Sequence, residues 1–417
     1  MELNRVVVTG IGVISPIGNN LNDYWNSLIN GVSGADHITL YDASKFKTRI
    51  ACEVKGFDVT QFIDRKEARK MDRFAQFSIV ASDMAMEDAG LNKDNINPDR
   101  VGVIVGSGIG GVQTFQQEVM EFARGDGTPR FTPFFIPKMI CDIAAGQISI
   151  RHNLRGPNFA VMSACATGTT AIMEAYNLLR LNKADILLAG GSESTINEAG
   201  MAGFVSMKAL SERNNDPKTA SRPYDKDRDG FVMGEACGIL VMETLKSALA
   251  RGARIYCEVA GTGATADAYH ITAPHPEGLG ALNVMKVALE DAGLRPEDID
   301  YINTHGTSTP LGDGAEVKAI TGVFGQHAYE LNISSTKSMT GHTLGAAGAI
   351  EAIACIKSVV HDIVPPTINH FTDDPDIDPK LNFTFNTAQK RIVRAALSNT
   401  FGFGGHNACV IVKKYVD

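Results

Sequence analysis

Three short segments carry side chains whose types and spacing can do chemistry together: Ser163-Ala164-Cys165-Ala166-Thr167-Gly168, Thr304-His305-Gly306-Thr307-Ser308-Thr309 and Lys337-Ser338-Met339-Thr340-Gly341-His342-Thr343-Leu344-Gly345. A cysteine is a nucleophile able to carry an acyl group as a thioester, and two imidazoles can donate hydrogen bonds to a developing oxyanion without a metal. The set predicts carbon chemistry on acyl thioesters.

Cys165 follows the apolar run from Phe159 to Met162 and precedes a helix-like segment, which predicts a strand-to-helix turn with the sulfur near a helix N-terminus. The helix dipole there favours thiolate; an ordinary thiol with pKa near ~8.5 is a few per cent ionised at pH 7, and a drop to ~7 would ionise about half of it. Ala164, Ala166 and Gly168 leave room for substrate and expose an amide for an oxyanion hole. Cys52, Cys141, Cys237, Cys257, Cys355 and Cys409 read as small core residues. With seven dispersed cysteines and no Cys-x-x-Cys spacing, neither disulfides nor structural zinc are expected.

His305 follows the run from Ile299 to Asn303 and lies among short hydroxyl side chains suited to an amide-bearing ligand arm. His342 lies between Gly341 and Gly345 at an expected helix start, where the dipole disfavours the imidazolium and leaves a neutral donor. Lys337, five residues before it, can position that loop electrostatically, and Glu351 lies nine residues beyond it on the following helix; alone, they would pass for a surface lysine and an ordinary helix carboxylate. The string from Ser398 to Asn407, with Phe401 and Phe403 set among Gly402, Gly404 and Gly405, can bring further amides and a gating ring to the site. The other histidines have no ligand-like spacing, so no metal and no cofactor are expected. The glycine string from Gly106 to Gly111 is set aside as a dinucleotide fingerprint, its Gly-x-Gly-x-x-Gly spacing being read as absent.

The elements that must position these residues read as alternating strands and helices. Short apolar runs ending in glycine recur at Val6 to Gly12, Val101 to Gly108, Ile186 to Gly191, Ile255 to Gly263 and Ala395 to Gly405. Alanine-rich helical segments lie between them at Phe74 to Ala89, Thr169 to Leu181, Ala281 to Ala292 and Ala346 to Val360. The chain also resembles itself. Val8-Thr9-Gly10-Ile11-Gly12 echoes Val259-Ala260-Gly261-Thr262-Gly263, and Ala85-Met86-Glu87-Asp88-Ala89-Gly90-Leu91 echoes Ala288-Leu289-Glu290-Asp291-Ala292-Gly293-Leu294. A third echo pairs Cys165, Gly168 and Glu174 with His342, Gly345 and Glu351, each 177 positions apart. Two halves are expected, 1–254 with the cysteine and 255–417 with both histidines.

At 417 residues, 44% hydrophobic and 21% charged, the chain can bury a large core. No charged leader precedes an apolar region, and no apolar run of membrane-spanning length is expected, which predicts a cytoplasmic enzyme. A net charge of -8 argues against general nucleic-acid binding. Arg65, Arg69 and Arg73, with Lys66 and Lys70 beside them, predict one basic helical stripe for an acidic partner, unless they form only a solvated face.

On Val8 to Gly12, the cysteine segment, Ser221-Arg222-Pro223-Tyr224-Asp225-Lys226-Asp227-Arg228-Asp229-Gly230-Phe231, Asp267-Ala268-Tyr269-His270, both histidine motifs and Gly402-Phe403-Gly404-Gly405, the whole chain resembles the elongating β-ketoacyl-acyl carrier protein synthases, most closely their type II branch. The resemblance implies a thiolase-like α/β fold, duplicated into five layers αβαβα, in a homodimer partnered by acyl and malonyl forms of acyl carrier protein. It implies an acyl chain on Cys165, malonyl decarboxylation promoted by His305 and His342, and an oxyanion hole from the amides of Cys165 and Phe403. Lys337 and Glu351 would support the histidines. Thr307 and Thr309 would hold the phosphopantetheine arm, with Thr272 and Phe401 also on the substrate and Phe403 as gate. Ile109 would limit acyl length, and Lys66, Arg69, Lys70 and Lys208 would meet the carrier protein. Thr170 and Met173 stand where many type II relatives have histidine and glycine, and His406 replaces a common threonine, so primer choice stays open. So does a monovalent cation near Asn303 and Glu351. The alternatives are a ketosynthase of a polyketide or aryl-polyene pathway and a non-catalytic carrier-protein-binding subunit.

Overall fold

The computed structural model describes residues 3–416. Its main sheet has ten strands: β1 (Val6–Ile14), β2 (Val101–Gly106), β3 (Asn158–Phe159), β4 (Ile186–Glu193), β5 (Ala236–Thr244), β6 (Cys257–Ala266), β7 (Tyr301–Asn303), β8 (Asn332–Ser334), β9 (Ala395–Gly402) and β10 (His406–Lys413). Six helices cover it: α1 (Arg73–Asp88), α2 (Ile143–His152), α3 (Thr167–Arg180), α4 (Leu279–Ala292), α5 (Pro310–Phe324) and α6 (Ala347–His361).

The strand order, β8-β7-β9-β10-β6-β1-β5-β4-β2-β3, reads the same outward from its centre in both directions if five is added to each strand number of the first half. Helices follow suit, α1 to α3 lying between the same strands as α4 to α6. The halves join where β1 and β6 pair antiparallel through Val6–Val259, Val7–Glu258 and Val8–Cys257. The expected boundary near Arg251 to Arg254 falls in the connection just before β6.

Strand alternation builds the layers. Val101, Val103 and Val105 of β2, with Ile239 and Val241 of β5, face α1 and α2, whereas Ile104, Leu240 and Met242 face α3 and α6. In the second half Ile302, Cys409 and Ile411 face α4 and α5, while Tyr301, Val410 and Val412 face the same central pair α3 and α6. Successive side chains of a strand point to opposite faces, so strands buried on both sides read as the continuous apolar runs seen in the sequence. The result is five layers, with α3 and α6 in the middle.

The recurring Glu-Asp-Ala-Gly-Leu string has a physical cause. Asp88 accepts from the Ile11 amide at 2.9 Å, and Asp291 accepts from the Thr262 amide at 2.9 Å, tying each helix end to its strand. Gly90 and Gly293 close those helices at φ 63° and 62°, a left-handed conformation that glycine takes without a Cβ penalty. The stretch Leu344–His361 is long and apolar enough to cross a membrane by length and composition, against the sequence expectation, but 89% of it is buried as one of the two central helices.

Candidate active site

Cys165 lies two residues before α3, and the preceding Ala164 holds φ 51°. A non-glycine residue in the left-handed region costs about 1–2 kcal/mol, and here it marks the sharp turn that carries the chain into the helix. The regular strand before it is shorter than the sequence suggests: only Asn158 and Phe159 pair with β2, and Ala160 to Met162 continue without pairing. The β9–β10 hairpin packs against the turn, where a Cβ on Gly402 would stand 3.1 Å from the Cys165 nitrogen and 2.6 Å from the Ser163 carbonyl. That approach brings the Phe403 amide, with the amide of Cys165 itself, close to the Cys165 sulfur, where both favour the thiolate.

Burial pushes the Cys165 thiol up to about 12, against the opposing pull of Lys337 and the two amides. The closed pocket therefore favours a neutral thiol, where the helix dipole alone predicts a partly ionised one. Desolvation of the anion outweighs the dipole.

His305 follows β7, and both it and Gly306 donate backbone amides to Glu316 of α5, at 2.9 and 2.8 Å. Glu316 is buried, and desolvation lifts it to about 7. His342 is anchored from the other side: its amide donates to the Val232 carbonyl at 2.7 Å and its carbonyl accepts from Gly234 at 2.9 Å. It precedes α6 by one 3-10 turn, Leu344–Ala346, rather than standing at the helix start itself. The two rings meet edge to face with centroids 5.2 Å apart. Burial first, then Lys337, holds both imidazoles well below the usual histidine range, and His342 adds to the effect on His305. Neither ring makes a side-chain hydrogen bond, and both Nδ1 atoms are buried without partners, which leaves the Nε2 atoms for the cavity.

Lys337 and Glu351 form a buried ion pair behind the histidines, 1% and 0% exposed. Desolvation lifts Glu351 to about 7 even against the lysine. Glu351 Oε2, Asn303 Oδ1 and Ser398 Oγ are buried without hydrogen-bond partners, and Asn303 and Ser398 are opposed in paired strands. Such an all-oxygen set suits a hard monovalent cation. No cluster of histidine, cysteine and carboxylate fits a transition metal among the described residues.

Cys165, His305, His342, Phe401 and Phe403 line one cavity of about 350 Å³ between the halves, together with Thr272, Thr307, Thr309 and Lys208. Thr307 and Thr309 share a hydroxyl hydrogen bond of 3.0 Å. Ile109 does not line this cavity, and it is 39% exposed.

The glycine string does keep the Gly-x-Gly-x-x-Gly spacing at Gly106, Gly108 and Gly111. What turns it from phosphate is Glu193, whose carboxylate accepts from the amides of Gly108, Ile109 and Gly345 at 2.7, 3.2 and 3.0 Å. An internal carboxylate holds the anion position.

The basic residues from Arg65 to Arg73 do not form one helical stripe. The first helix of that region covers only Arg65–Ala68, and Arg73 opens α1 with its guanidinium on buried Glu235 at 2.7 Å. Lys66 and Arg69 are exposed, while Lys70 pairs with Glu67 at 2.6 Å.

Sequence reasoning passed over Glu316, Glu193 and Phe204. Glu316 alone left a trace, as a carboxylate placed with Ala319 and Ile320 on the buried face of α5.

A duplicated five-layer α/β fold whose halves enclose one cysteine and two histidines is that of a thiolase-like condensing enzyme. The chain belongs to the β-ketoacyl synthase family: residues 3–248 match its N-terminal domain and residues 256–371 its C-terminal domain. It is 50% identical over 415 residues to a 3-oxoacyl-[acyl-carrier-protein] synthase 2 of Synechocystis sp., covering 100% of this chain and 99% of that one. A protein of the same name from Staphylococcus aureus is 49% identical over 414 residues, covering 99% and 98%. Among solved structures, a β-ketoacyl synthase from Burkholderia phymatum superposes with TM-score 0.91 at 34% identity over 99% of this chain and 100% of that one. A type II polyketide ketosynthase in complex with its acyl-carrier protein superposes with TM-score 0.90 at 32% identity, with the same coverage.

Proposed function

We propose that this chain elongates fatty acyl groups by decarboxylative Claisen condensation with malonyl-acyl carrier protein in the cytoplasm. The carrying observation is the pair of backbone amides, of Cys165 and Phe403, directed at one sulfur that shares a cavity with two uncharged imidazoles.

In the first half-reaction the Cys165 sulfur gives up its proton and attacks the carbonyl of acyl-acyl carrier protein. The two amides hold the oxyanion, and the carrier thiol leaves with a proton. Malonyl-acyl carrier protein then enters past Phe403, its pantetheine arm along Thr307, Thr309 and Thr272. The Nε2–H groups of His305 and His342 donate to the thioester oxygen as the carbon–carbon bond to the carboxylate breaks and carbon dioxide leaves. The enolate carbon attacks the acyl carbonyl, the Cys165 sulfur is expelled, and β-ketoacyl-acyl carrier protein departs two carbons longer. Neutral imidazoles suit this step, since hydrogen-bond donors stabilise the enolate while remaining uncharged before reaction. Lys337 and Glu351 position the histidines.

Lys66, Arg69 and Lys208, exposed and cationic on a chain of net charge -8, give an acidic carrier protein a local attractive surface. Lys70 joins them through its exposed flank. The short edge strand β3, with Phe159 and Met162 exposed on and just beyond it, favours a homodimer made across that edge, which would bring Ile109 to the acyl pocket. Thr170 pairs its hydroxyl with that of Ser163 at 2.7 Å, next to the nucleophile, where it presents a smaller side chain than a histidine would.

Higher identity to the 3-oxoacyl synthases than to the polyketide ketosynthase favours fatty-acid elongation over a polyketide primer. The test is condensation of malonyl-acyl carrier protein with acyl-acyl carrier proteins of graded length. Two-carbon extension of saturated primers is expected; carbon dioxide release with no condensation of any saturated primer would overturn it.

A further inference from the structure

Glu193 ends β4 as a fully buried carboxylate, and hydrogen-bond donors rather than a cation answer its charge. Its Oε1 accepts from the Ser107 hydroxyl at 2.8 Å and the Ile109 amide at 3.2 Å. Its Oε2 accepts from the Gly108 amide at 2.7 Å and the Gly345 amide at 3.0 Å. Gly108 belongs to the loop after β2 in the first half, whereas Gly345 lies three residues beyond His342 in the second. One oxygen atom therefore ties the two halves together beside the site.

The turns that carry the chemistry meet at this point. A Cβ on Gly108 would stand 2.7 Å from Glu193 Oε2, 3.3 Å from the Ala164 carbonyl and 3.5 Å from the Gly345 nitrogen, so backbone next to Cys165 and backbone near His342 press on the same glycine. Three of the four donors are backbone amides, which give a hydrogen bond and cannot accept one; a carboxamide in this seat would turn an N–H against at least one of them. The Glu193 charge also reaches the nucleophile, where it opposes the Cys165 thiolate.

We propose that Glu193 is a positioning residue for condensation: through Gly108 and Gly345 its ionised carboxylate fixes the spacing between the Cys165 turn, which carries the acyl group, and the His342 turn, which holds the enolate. This inference rests on the condensing activity proposed above. Acyl loading uses the first turn and decarboxylation the second, so the step that joins them is the one that depends on their spacing.

Glu193→Gln, which reverses a donor at full length, and Glu193→Asp, which keeps the charge on a shorter stem, test it. With hexanoyl- and malonyl-acyl carrier protein, wild type should release carbon dioxide and form β-ketoacyl product in equal amounts. Each variant should form product about tenfold more slowly or worse, since small misplacement of reacting groups is costly, while acylation of Cys165, followed by mass spectrometry, and carbon dioxide release stay within about twofold of wild type. Iodoacetamide alkylation of Cys165 at pH 7 should quicken by about threefold or more in Glu193→Gln, which loses the nearby charge, and not in Glu193→Asp. Parallel loss of loading, release and product, product formed in step with carbon dioxide at the wild-type rate, or equal alkylation of the two variants overturns the proposal. Where either variant fails to fold, Ser107→Ala, which removes one donor and leaves the carboxylate, should show the same excess of carbon dioxide over product, and equal amounts of the two overturn the proposal. Failure of wild type to condense would instead overturn the reading on which it rests.

Discussion

Cys165 and His342 occupy equivalent places in the two halves of the fold. Each follows a left-handed residue, Ala164 at φ 51° and Gly341 at φ 66°, and each leads into one of the two central helices, α3 or α6. Those helices pack closely at their starts, since a Cβ on Gly168 would stand 2.7 Å from the Ala349 nitrogen and 3.1 Å from the Gly345 carbonyl. Duplication has thus put a nucleophile and a hydrogen-bond donor at matched turns beside one pocket.

Closeness at that crossing is the first thing to test. Gly168→Ala introduces a methyl into a gap with no slack, against backbone that cannot rotate aside. A loss of about 1–3 kcal/mol in stability is expected from overpacking, together with a larger proportional fall in condensation, because Cys165 and His342 move apart with the helices. Denaturant unfolding and kcat/KM measured together check this; unchanged kcat/KM would disconnect the crossing from the chemistry.

The split between acyl transfer and decarboxylation follows from the separate settings of the thiol and the imidazoles. Cys165→Ala should abolish acyl transfer and condensation, by about a thousandfold or more if the covalent route carries the reaction, while malonyl-acyl carrier protein still releases carbon dioxide. His305→Ala and His342→Ala should each cut that release by about a hundredfold, as for loss of one oxyanion donor. Radiolabelled carbon dioxide release from each variant decides it, and undiminished release from both histidine variants would remove them from the step.

A pH profile probes the imidazoles directly. Burial and Lys337 lower both below 6.5, so the neutral form persists as pH falls through the ordinary histidine range and the cation forms only at lower pH. Decarboxylation by Cys165→Ala protein should therefore stay level from pH 8 to pH 6, over a range in which an ordinary imidazole with pKa near ~6.5 would become mostly charged. An inflection near that value would contradict the neutral-donor assignment.

Much of this site was readable before the fold was known, and the reasons differ by residue. Cys165, His305 and His342 stood out because glycine, alanine and short hydroxyl neighbours mark turns where backbone must come close. The Asp88 and Asp291 strings showed the duplication because each aspartate ties a helix end to a strand, a job that fixes residue type locally. Glu316 and Glu193 were missed because their work is done across the fold, on amides 10 to 11 and 84 to 152 positions away. The thiol's pKa lay out of reach for the same reason: its helix is local and visible in sequence, whereas the desolvation that raises it comes from burial in the assembled fold.

That raised thiol gives a kinetic signature. With Cys165 pushed up to about 12, thiolate is the minor species throughout the neutral range, and each unit rise in pH should bring about tenfold more of it. Iodoacetamide alkylation of Cys165, followed by mass spectrometry, should keep accelerating from pH 7 to pH 9. A plateau near pH 7 would mean that the helix dipole prevails over burial after all.

The buried pair behind the histidines separates stability from positioning. Lys337→Met leaves Glu351 in the core without its cation, and breaking such a pair costs about 3–5 kcal/mol. Replacing both partners, as Lys337→Met with Glu351→Met, removes the uncompensated charge and should recover most of that loss, since apolar replacements for a buried pair are often neutral or stabilising. Decarboxylation should not recover with it, because the double variant still lacks the lysine charge that depresses His305 and His342, and their titration should move upward. Thermal unfolding and the pH profile of carbon dioxide release, measured on both variants, test the two effects independently. Recovery of stability with a still-depressed imidazole titration would place the cause in burial alone and free Lys337 from that role.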